Sequence, residues 1–295
     1  MRAMKDWHKS HPHLFVKSPR NHAGWNSYVP VMGCQNHAKE SLEMSTVDSI
    51  NEVKDDVFGA SAAWASNWEN NMVHDPYWDL ENEPVAPTFD AARTALLIID
   101  MQNLCAHPDG WMGRLARDQG KPGHLQERFD FIAEITPNLK RLLDHCRKIG
   151  VEVFHIRIAF RTNTARDGKR GLLNRLEETP LILMDFDILD GIKPLEDEII
   201  LNKTSVSTFN STAIDQILRN MGKDRLWTSG VVTEGCVELT TRDAADRGYY
   251  VTLVTDACAS STHSGHEDAV QRITDGNIIR GHTVDELIAM SNEAA

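Results

Sequence analysis

Short apolar runs alternate with amphipathic stretches over the C-terminal two-thirds of the chain. The first run, residues 94–99, is apolar throughout after its opening threonine, which is typical of a parallel strand covered by helices on both faces. Apolar residues at helical spacing follow over 139–146. We expect Thr136 to cap this helix, Pro137 to lie in its first turn and Gly150 to end it.

The alternation of strand and helix patterns continues to the C-terminus. Further strands are expected at residues 151–158, 198–203, 226–232, 250–255 and 277–280, and further helices over 214–221, 237–247 and 284–290. This order predicts an α/β protein with a doubly wound, mostly parallel sheet of six strands. In such a Rossmann-like sheet, ligands bind at the carboxyl ends of the strands.

Residues 1 to about 90 differ from the rest, because they hold five of the seven tryptophans and no long periodic run. Disordered segments contain few aromatic residues, so we expect this extension to pack on a surface. Three arrangements stay open: a layer over its own domain, an arm around a neighbouring subunit, or a separate small domain. Pro84 and Pro87 mark the junction, which gives an extension over 1–90 and an α/β domain over 91–295.

Composition excludes several classes of protein. The net charge of -12 argues against a nucleic-acid partner. No apolar run approaches the roughly 20 residues of a membrane span, and the N-terminus lacks the apolar core of a signal peptide, so we expect a cytoplasmic protein without a membrane partner. Five cysteines without a Cys-x-x-Cys pair indicate neither a disulfide framework nor a zinc site.

Three of the predicted strands end in a reactive side chain: Asp100, Lys203 and Cys236. Cys236 also stands where a helix begins, and a helix N-terminus stabilises a thiolate and can hold an oxyanion. Each residue alone has an ordinary explanation, as a turn aspartate, a solvated lysine or a small buried cysteine. Together they supply a nucleophile, a base for the thiol proton and a cation that stabilises both anions.

The motifs around these residues resemble the isochorismatase-like cysteine hydrolase superfamily over about residues 93–292. The matching stretches are residues 95–103, 203–212, 229–244 and 254–259. The resemblance implies that Asp100 is the general base, Lys203 its ionic neighbour and Cys236 the nucleophile. It also implies a homo-oligomer, with a tetramer favoured.

An oxyanion hole is a second implication of the resemblance. The family pattern implies a non-proline cis peptide between Val231 and Val232. The backbone amides of Val232 and Cys236 are then expected to face the developing oxyanion.

Departures from the family pattern narrow the chemistry. Nicotinamidases of the superfamily carry a metal-binding Asp-x-His-x-x-His, and the corresponding region here, residues 155–162, lacks it. True isochorismatases cleave a vinyl ether without a cysteine, so Cys236 indicates hydrolysis of a carbon–nitrogen bond. The resemblance therefore favours the biuret, ureidoacrylate, N-carbamoylsarcosine and maleamate amidohydrolases, with a small amide as substrate and neither a metal nor another cofactor.

Substrate contacts are expected beside the reactive residues. The side chains expected to flank the pocket are Gln102, Asn103, Phe209 and Asn210. Trp111 lies in a long stretch that we interpret as a loop covering the pocket. Arg114 or Arg117 is a candidate for binding a substrate carboxylate, although a solvated surface arginine is the simpler interpretation of either.

Other motifs permit other functions. Cys236 and Arg242 match the Cys-x5-Arg spacing of tyrosine phosphatases, but the residues between them lack the glycines of a phosphate cradle. His263 and His266 have a spacing that permits metal binding, although a solvated loop near a helix start is the simpler explanation. We interpret the protein as a metal-free amidohydrolase acting through a thioester. The alternatives are a hydrolase of esters or cyclic imides and a non-catalytic assembly protein.

Overall fold

The computed structural model describes most of the chain after residue 86 and two short strands before it. The described residues are 87–162, 165–168, 179–276 and 278–294, with the backbone of 15–17 and 28–30. The chain divides into two compact units, residues 1–72 and 73–295. In the first unit, β1 (Phe15–Lys17) pairs antiparallel with β2 (Tyr28–Pro30). Most of the predicted extension lies outside the described residues, so its packing stays a prediction.

Six parallel strands form the sheet of the second unit. They are β3 (Thr94–Ile99), β4 (Glu152–Ile158), β5 (Ile199–Lys203), β6 (Arg225–Val231), β7 (Tyr250–Ala259) and β8 (Ile279–His282). Their order across the sheet is β5-β4-β3-β6-β7-β8, and every neighbouring pair is parallel. The predicted doubly wound sheet is therefore confirmed.

Helices cover both faces of this sheet. They are α1 (Asn103–Ala106), α2 (Trp111–Asp118), α3 (Gln126–Ile149), α4 (Ile214–Asn220), α5 (Glu238–Asp246), α6 (His263–Thr274) and α7 (Val284–Glu293). Buried residues of α3 and α7 pack on one face, and those of α4, α5 and α6 pack on the other. Because β3 is central, all its side chains are buried, as a run without polar alternation predicts. None of the described helices is long and apolar enough to cross a membrane.

The start of α3 differs from the prediction. The helix begins at Gln126, eleven residues before Pro137, so the proline lies in its interior. Buried Phe131 and Ile132 extend the apolar face in the N-terminal direction and hold the earlier turns on the sheet. The Thr136 hydroxyl is not a cap but donates to the Ile132 carbonyl at 2.6 Å. Gly150 ends the helix as predicted, in a left-handed conformation with φ 78°.

The strand order reverses between β3 and β6, and this switch determines where a ligand can bind. From β3 the chain crosses to β4 and β5 on one side, and it then returns to β6 on the other side. The connections that follow β3 and β6 run to opposite faces of the sheet. A crevice therefore opens at the carboxyl ends of these two strands. Ile99 pairs with Gly230, so residue 100 and the segment after Val231 lie at the same edge.

Gly230 allows β6 to approach β3 at this edge. A Cβ at this position would lie 2.1 Å from the Ile99 carbonyl oxygen, and the backbone has φ +109°. The strand register between β6 and β7 also shifts between Thr228 and Gly230. Only glycine fits both the space and the backbone conformation, so this residue sets the spacing of the crevice walls.

Replacing Gly230 with alanine is expected to lower the free energy of unfolding by about 3 kcal/mol, from backbone strain and overlap with β3. Gly120→Ala is the matched control, since Gly120 also has a positive φ of +70° but a Cβ added there would have no heavy atom within 4 Å. The control should cost about 1 kcal/mol. Urea unfolding of both variants measures the difference, and equal losses would show that the close approach of β6 to β3 is not required.

Candidate active site

Asp100 stands at the first position after β3. Its amide donates to the Ile156 carbonyl at 2.8 Å, which extends the strand ladder by one residue. Its backbone then turns into the left-handed region, with φ 54°, which aspartate tolerates better than most residues. The side chain is buried, with 1% of the residue exposed. The carboxylate is therefore fixed at the crevice by the end of a central strand.

Lys203, the last residue of β5, connects the site. Its side chain is fully buried, and its Nζ lies 2.8 Å from Asp100 Oδ2. The same ammonium donates to Cys236 Sγ at 3.2 Å and to the Ser205 carbonyl at 3.1 Å. An ammonium has three N–H donors, so these three contacts use all of them.

The loop after Lys203 is held by its own side chains. The Ser211 hydroxyl accepts from the amides of Thr204 and Ser205, at 3.0 Å and 3.2 Å. The Thr208 amide donates to Thr240 Oγ1 at 3.1 Å, which ties the loop to α5. The Ser/Thr-rich composition of this segment therefore fixes the carbonyl that holds the ammonium.

Cys236 follows β6 in a π-helical turn, Thr233–Val237. The Val237 amide donates to the Val232 carbonyl at 3.3 Å, closing the turn. The peptide between Val231 and Val232 is cis, as the family resemblance implied. Cys236 is 9% exposed and therefore lies at the boundary between core and crevice.

The surroundings of Cys236 favour its neutral thiol. Burial and then the Asp100 carboxylate raise the pKa of Cys236, and the Lys203 ammonium only partly opposes them. For Lys203, burial favours the neutral amine, but the attraction of Asp100 and Cys236 outweighs it and raises the pKa of the ammonium. The site therefore combines a carboxylate–ammonium ion pair with a protonated thiol, and the thiol needs a base before it can attack.

Asp100 is able to act as that base. Within the described residues, its Oδ1 is buried and receives no hydrogen bond, while Oδ2 faces Lys203. The carboxylate is also close enough to Cys236 to raise the pKa of its thiol. The structure thus brings together the three side chains predicted from strand ends, with a carboxylate oxygen free to accept a proton.

A sequence model of the isochorismatase domain matches residues 94–283, which contain all three side chains. The chain belongs to the isochorismatase family. It is 28% identical over 205 residues to the ureidoacrylate amidohydrolase RutB of Caulobacter vibrioides, covering 64% of this chain and 85% of that protein. The same enzyme of Rhizobium rhizogenes is 26% identical over 256 residues, covering 80% and 98%.

Solved structures share the fold. A cysteine hydrolase from Pseudomonas syringae superposes with a TM-score of 0.61 at 23% identity, covering 73% of this chain and all of that one. An isochorismatase family protein from Desulfovibrio vulgaris gives a TM-score of 0.57 at 26% identity, covering 68% and 98%.

Gln102 and Asn103 serve the scaffold. Gln102 is fully buried, and its Nε2 donates to the carbonyls of Ile158 and Asp185, both at 3.0 Å. Its Oε1 accepts from the Ile158 amide at 2.6 Å. Asn103 donates to the Met184 carbonyl at 3.0 Å and lines a cleft of about 620 Å³ whose walls do not include the three reactive side chains. The backbone already uses the Gln102 amide, and the substrate-binding role predicted for this residue stays a prediction.

The loop predicted around Trp111 is a helix instead, and the role of this residue as a pocket cover stays a prediction. Trp111 begins α2 instead of lying in a loop, is 3% exposed, and donates from Nε1 to the Thr179 carbonyl at 2.6 Å. Arg114 forms two hydrogen bonds, of 3.0 Å and 2.8 Å, with the buried carboxylate of Asp185. Arg117 is exposed and donates to the Pro108 carbonyl at 2.9 Å. Both arginines therefore have partners within the chain, and a role in binding a substrate carboxylate stays a prediction for either.

Phe209 packs in the same buried apolar cluster as Cys236. Its ring contacts Tyr249 at 6.0 Å between centroids and lies under the Arg247 guanidinium at 4.8 Å. Both partners follow the C-terminal end of α5, whereas Cys236 precedes its start. Asn210 is exposed at the end of a short 3-10 turn. These contacts do not support the substrate-binding roles predicted for the two residues.

The other motifs have structural partners. Arg242 pairs with Glu238 at 3.0 Å on the outer side of α5, so its guanidinium does not form a phosphate site with the thiol. His155 contacts Glu198 at 3.0 Å, and His263 stacks on Phe131. Among the described residues, no three His, Cys, Asp or Glu side chains are grouped so that they could hold a metal ion.

Two polar residues near the site have contacts that the sequence interpretation missed. His266 Nδ1 lies 2.9 Å from Thr233 Oγ1, in the turn that carries Cys236. Arg128 is 6% exposed and contacts segments that follow β3 and β7. A signal for Arg128 was present, because it shares the helical face of Phe131, Ile132 and Ile135, and a charge on an apolar face needs a partner.

Replacing Asp100 with asparagine is expected to make the Cys236 thiol easier to ionise and, at the same time, to lower turnover. The change removes a negative neighbour that raises the pKa of Cys236, so this pKa should fall. The amide cannot accept the thiol proton or pass it to a leaving group, so kcat/KM should fall at least about 100-fold. Iodoacetamide labelling against pH, measured beside steady-state turnover, checks both expectations.

Cys146 provides the background for this labelling, because it is fully buried in α3 and burial raises the pKa of its thiol. It should label far more slowly than Cys236 in both proteins. An Asp100→Asn enzyme that keeps more than about a tenth of wild-type kcat/KM would contradict the role of Asp100 as the base.

Proposed function

We propose that this protein is a metal-independent cysteine amidohydrolase that cleaves the carbon–nitrogen bond of a small ureido compound or linear amide. The observation that carries the proposal is the buried Lys203 ammonium, 2.8 Å from Asp100 and 3.2 Å from Cys236. This contact joins a base, a cation and a nucleophile in one unit at the switch point of the sheet.

In the acylation step, Asp100 Oδ1 takes the Cys236 proton as Sγ attacks the carbonyl carbon. A carbon–sulfur bond forms, and the carbonyl oxygen becomes an oxyanion that we assign to the amides of Val232 and Cys236. The carbon–nitrogen bond then breaks, and protonated Asp100 gives its proton to the leaving nitrogen. Lys203 keeps its charge throughout and stabilises whichever of its two neighbours is the anion.

Water completes the cycle. Asp100, again a carboxylate, takes a proton from water as its oxygen attacks the thioester carbon. The carbon–sulfur bond breaks, and the proton returns from Asp100 to Sγ. The resting state of a protonated thiol beside a carboxylate is restored without a metal ion or a redox partner.

Membership of the isochorismatase family and likeness to ureidoacrylate amidohydrolases support a hydrolase of carbon–nitrogen bonds. A protonated Asp100 also suits a leaving amine, because nitrogen must gain a proton to depart. Ammonia release over a set of ureido acids, biuret analogues and dicarboxylic monoamides tests the proposal. Turnover of esters or cyclic imides alone would favour the rival hydrolase, and no turnover of any class would favour an assembly protein.

Cys236→Ala and Cys236→Ser should fold normally but lose turnover, because an unactivated hydroxyl does not replace the thiol as nucleophile. Cys146→Ala is the control, since Cys146 is buried in α3 away from the crevice. The control should lose some stability and keep its activity. Thermal unfolding and ammonia release distinguish the two effects. A serine variant with more than about a hundredth of wild-type kcat would contradict nucleophilic catalysis.

Activity should not depend on a metal ion. After prolonged dialysis against a chelator, the enzyme is expected to keep its kcat, and elemental analysis should detect no stoichiometric zinc, iron or manganese. The reason is that the proposed steps obtain their nucleophile and acid from Cys236 and Asp100 rather than from metal-bound water. Activity that disappears on chelation and returns with one added metal would overturn this expectation.

A further inference from the structure

Arg128 is a buried cation for which the described part of the chain supplies no opposite charge. It lies in the first turn of α3, and it is 6% exposed. Nε donates to the Cys105 carbonyl at 3.0 Å, and Nη1 donates to Ser261 Oγ at 3.1 Å. Both acceptors are neutral. Within the described residues, no carboxylate lies within ion-pair distance of this guanidinium.

Two buried carboxylates of the same unit have ion-pair partners, whereas the buried Lys223 ammonium donates to the Ala92 carbonyl at 2.9 Å. Asp185 is fully buried and pairs with Arg114 at 2.8 Å. Glu238 is 8% exposed and pairs with Arg242 and Arg272 at 3.0 Å and 2.7 Å. Burying an ion without a partner costs several kcal/mol. A buried arginine without an ion pair therefore means either that the fold tolerates this cost or that a bound anion supplies the missing charge.

The contacts of Arg128 place it at the crevice. Cys105 lies in α1, directly after the Asp100 turn, and its thiol donates to the Asp100 carbonyl at 3.1 Å. Ser261 comes two residues after Ala259, which pairs with Val231 at the end of β6. In the sheet, β6 lies between β3 and β7. The Arg128 guanidinium contacts the segment after β3 and the segment after β7, so it lies beyond the carboxyl end of β6.

The buried charges described at this edge include one positive charge without an ion-pair partner. Asp100 and Lys203 form an ion pair, whereas Arg128 has no ion-pair partner among the described residues, so it contributes one buried positive charge without a counterion. Asp100, Arg128 and Lys203 all affect the buried thiol of Cys105. Burial and then the negative charge of Asp100 raise the pKa of this thiol to about 12, although the positive charges of Arg128 and Lys203 oppose the shift. A substrate with one negative group would restore neutrality here.

We propose that Arg128 binds a carboxylate of the substrate, so that the preferred substrates are ureido or amido acids and not neutral ureas or amides. This inference rests on the proposed amidohydrolase function and names its substrate class. The guanidinium has five N–H donors, of which two are used, and the other three are sufficient for two parallel hydrogen bonds to a carboxylate.

The test compares two substrates that differ only in charge. One is ureidoacrylate, and the other is propenylurea, in which a methyl group replaces the carboxylate. Wild-type enzyme should prefer the acid by about 10- to 100-fold in kcat/KM, the usual effect of a hydrogen bond to a charged group. Arg128→Met should reduce that preference to about threefold or less, and Arg128→Lys should retain part of it because it keeps the charge.

Arg117→Met is the matched control, because Arg117 is an exposed arginine on α2. This variant should keep the wild-type preference. Binding of both compounds to Cys236→Ala and to the double variant Cys236→Ala/Arg128→Met, measured by calorimetry, gives the same comparison without turnover. Thermal unfolding of each variant shows whether loss of the Cys105 and Ser261 contacts has unfolded the protein.

The outcomes separate the two proposals. If Arg128→Met lowers kcat/KM equally for the acid and for the neutral compound, Arg128 only positions the strand ends, and the inference is wrong. If the wild type hydrolyses both compounds equally well, the inference is also wrong, while the amidohydrolase function stands. Hydrolysis of neither compound nor of any ureido acid or amide would overturn the proposed function, and calorimetry would then still decide whether Arg128 binds the acid.

Discussion

The buried ion pair between Asp100 and Lys203 is the interaction on which the rest of the site depends. Removing two charges from water costs several kcal/mol for each ion, and the pair is stable only where geometry and further hydrogen bonds compensate. Here the ammonium lies 2.8 Å from the carboxylate and gives its other two donors to Cys236 Sγ and the Ser205 carbonyl. The fold therefore has to hold three strand ends in fixed relative positions.

The sheet provides that rigidity. Asp100 continues the hydrogen-bond ladder of β3, Lys203 is the last residue of β5, and Cys236 follows β6 after one tight turn. Groups supported by regular elements keep their geometry better than groups on loops. The electrostatic result is a Cys236 pKa raised by burial and by the neighbouring carboxylate, which favours the neutral thiol.

Much of this arrangement follows from the sequence because parallel strands share one edge for their carboxyl ends. An apolar run followed by a polar residue identifies both a strand and its end, which is why Asp100, Lys203 and Cys236 could be predicted together. The long-range partners could not be predicted in this way. Arg114 pairs with Asp185 at a distance of 71 residues along the chain, and no local pattern indicates that contact. Local signals also had competing interpretations: Pro137 suggested a helix start, but the apolar face continues before it, and Arg128 lies on that same face.

A double-mutant cycle at the ion pair measures most directly whether the buried groups act as one unit. The measurement is kcat/KM for wild type, Asp100→Asn, Lys203→Met and the double variant. Lys203→Met leaves a buried carboxylate without its counterion, and Asp100→Asn removes the carboxylate that we propose as the base. The account predicts a large loss in each single variant and a double variant within about threefold of the worse one, because groups that act together are not additive. Losses that multiply would show that the carboxylate and the ammonium act independently, and would contradict the account.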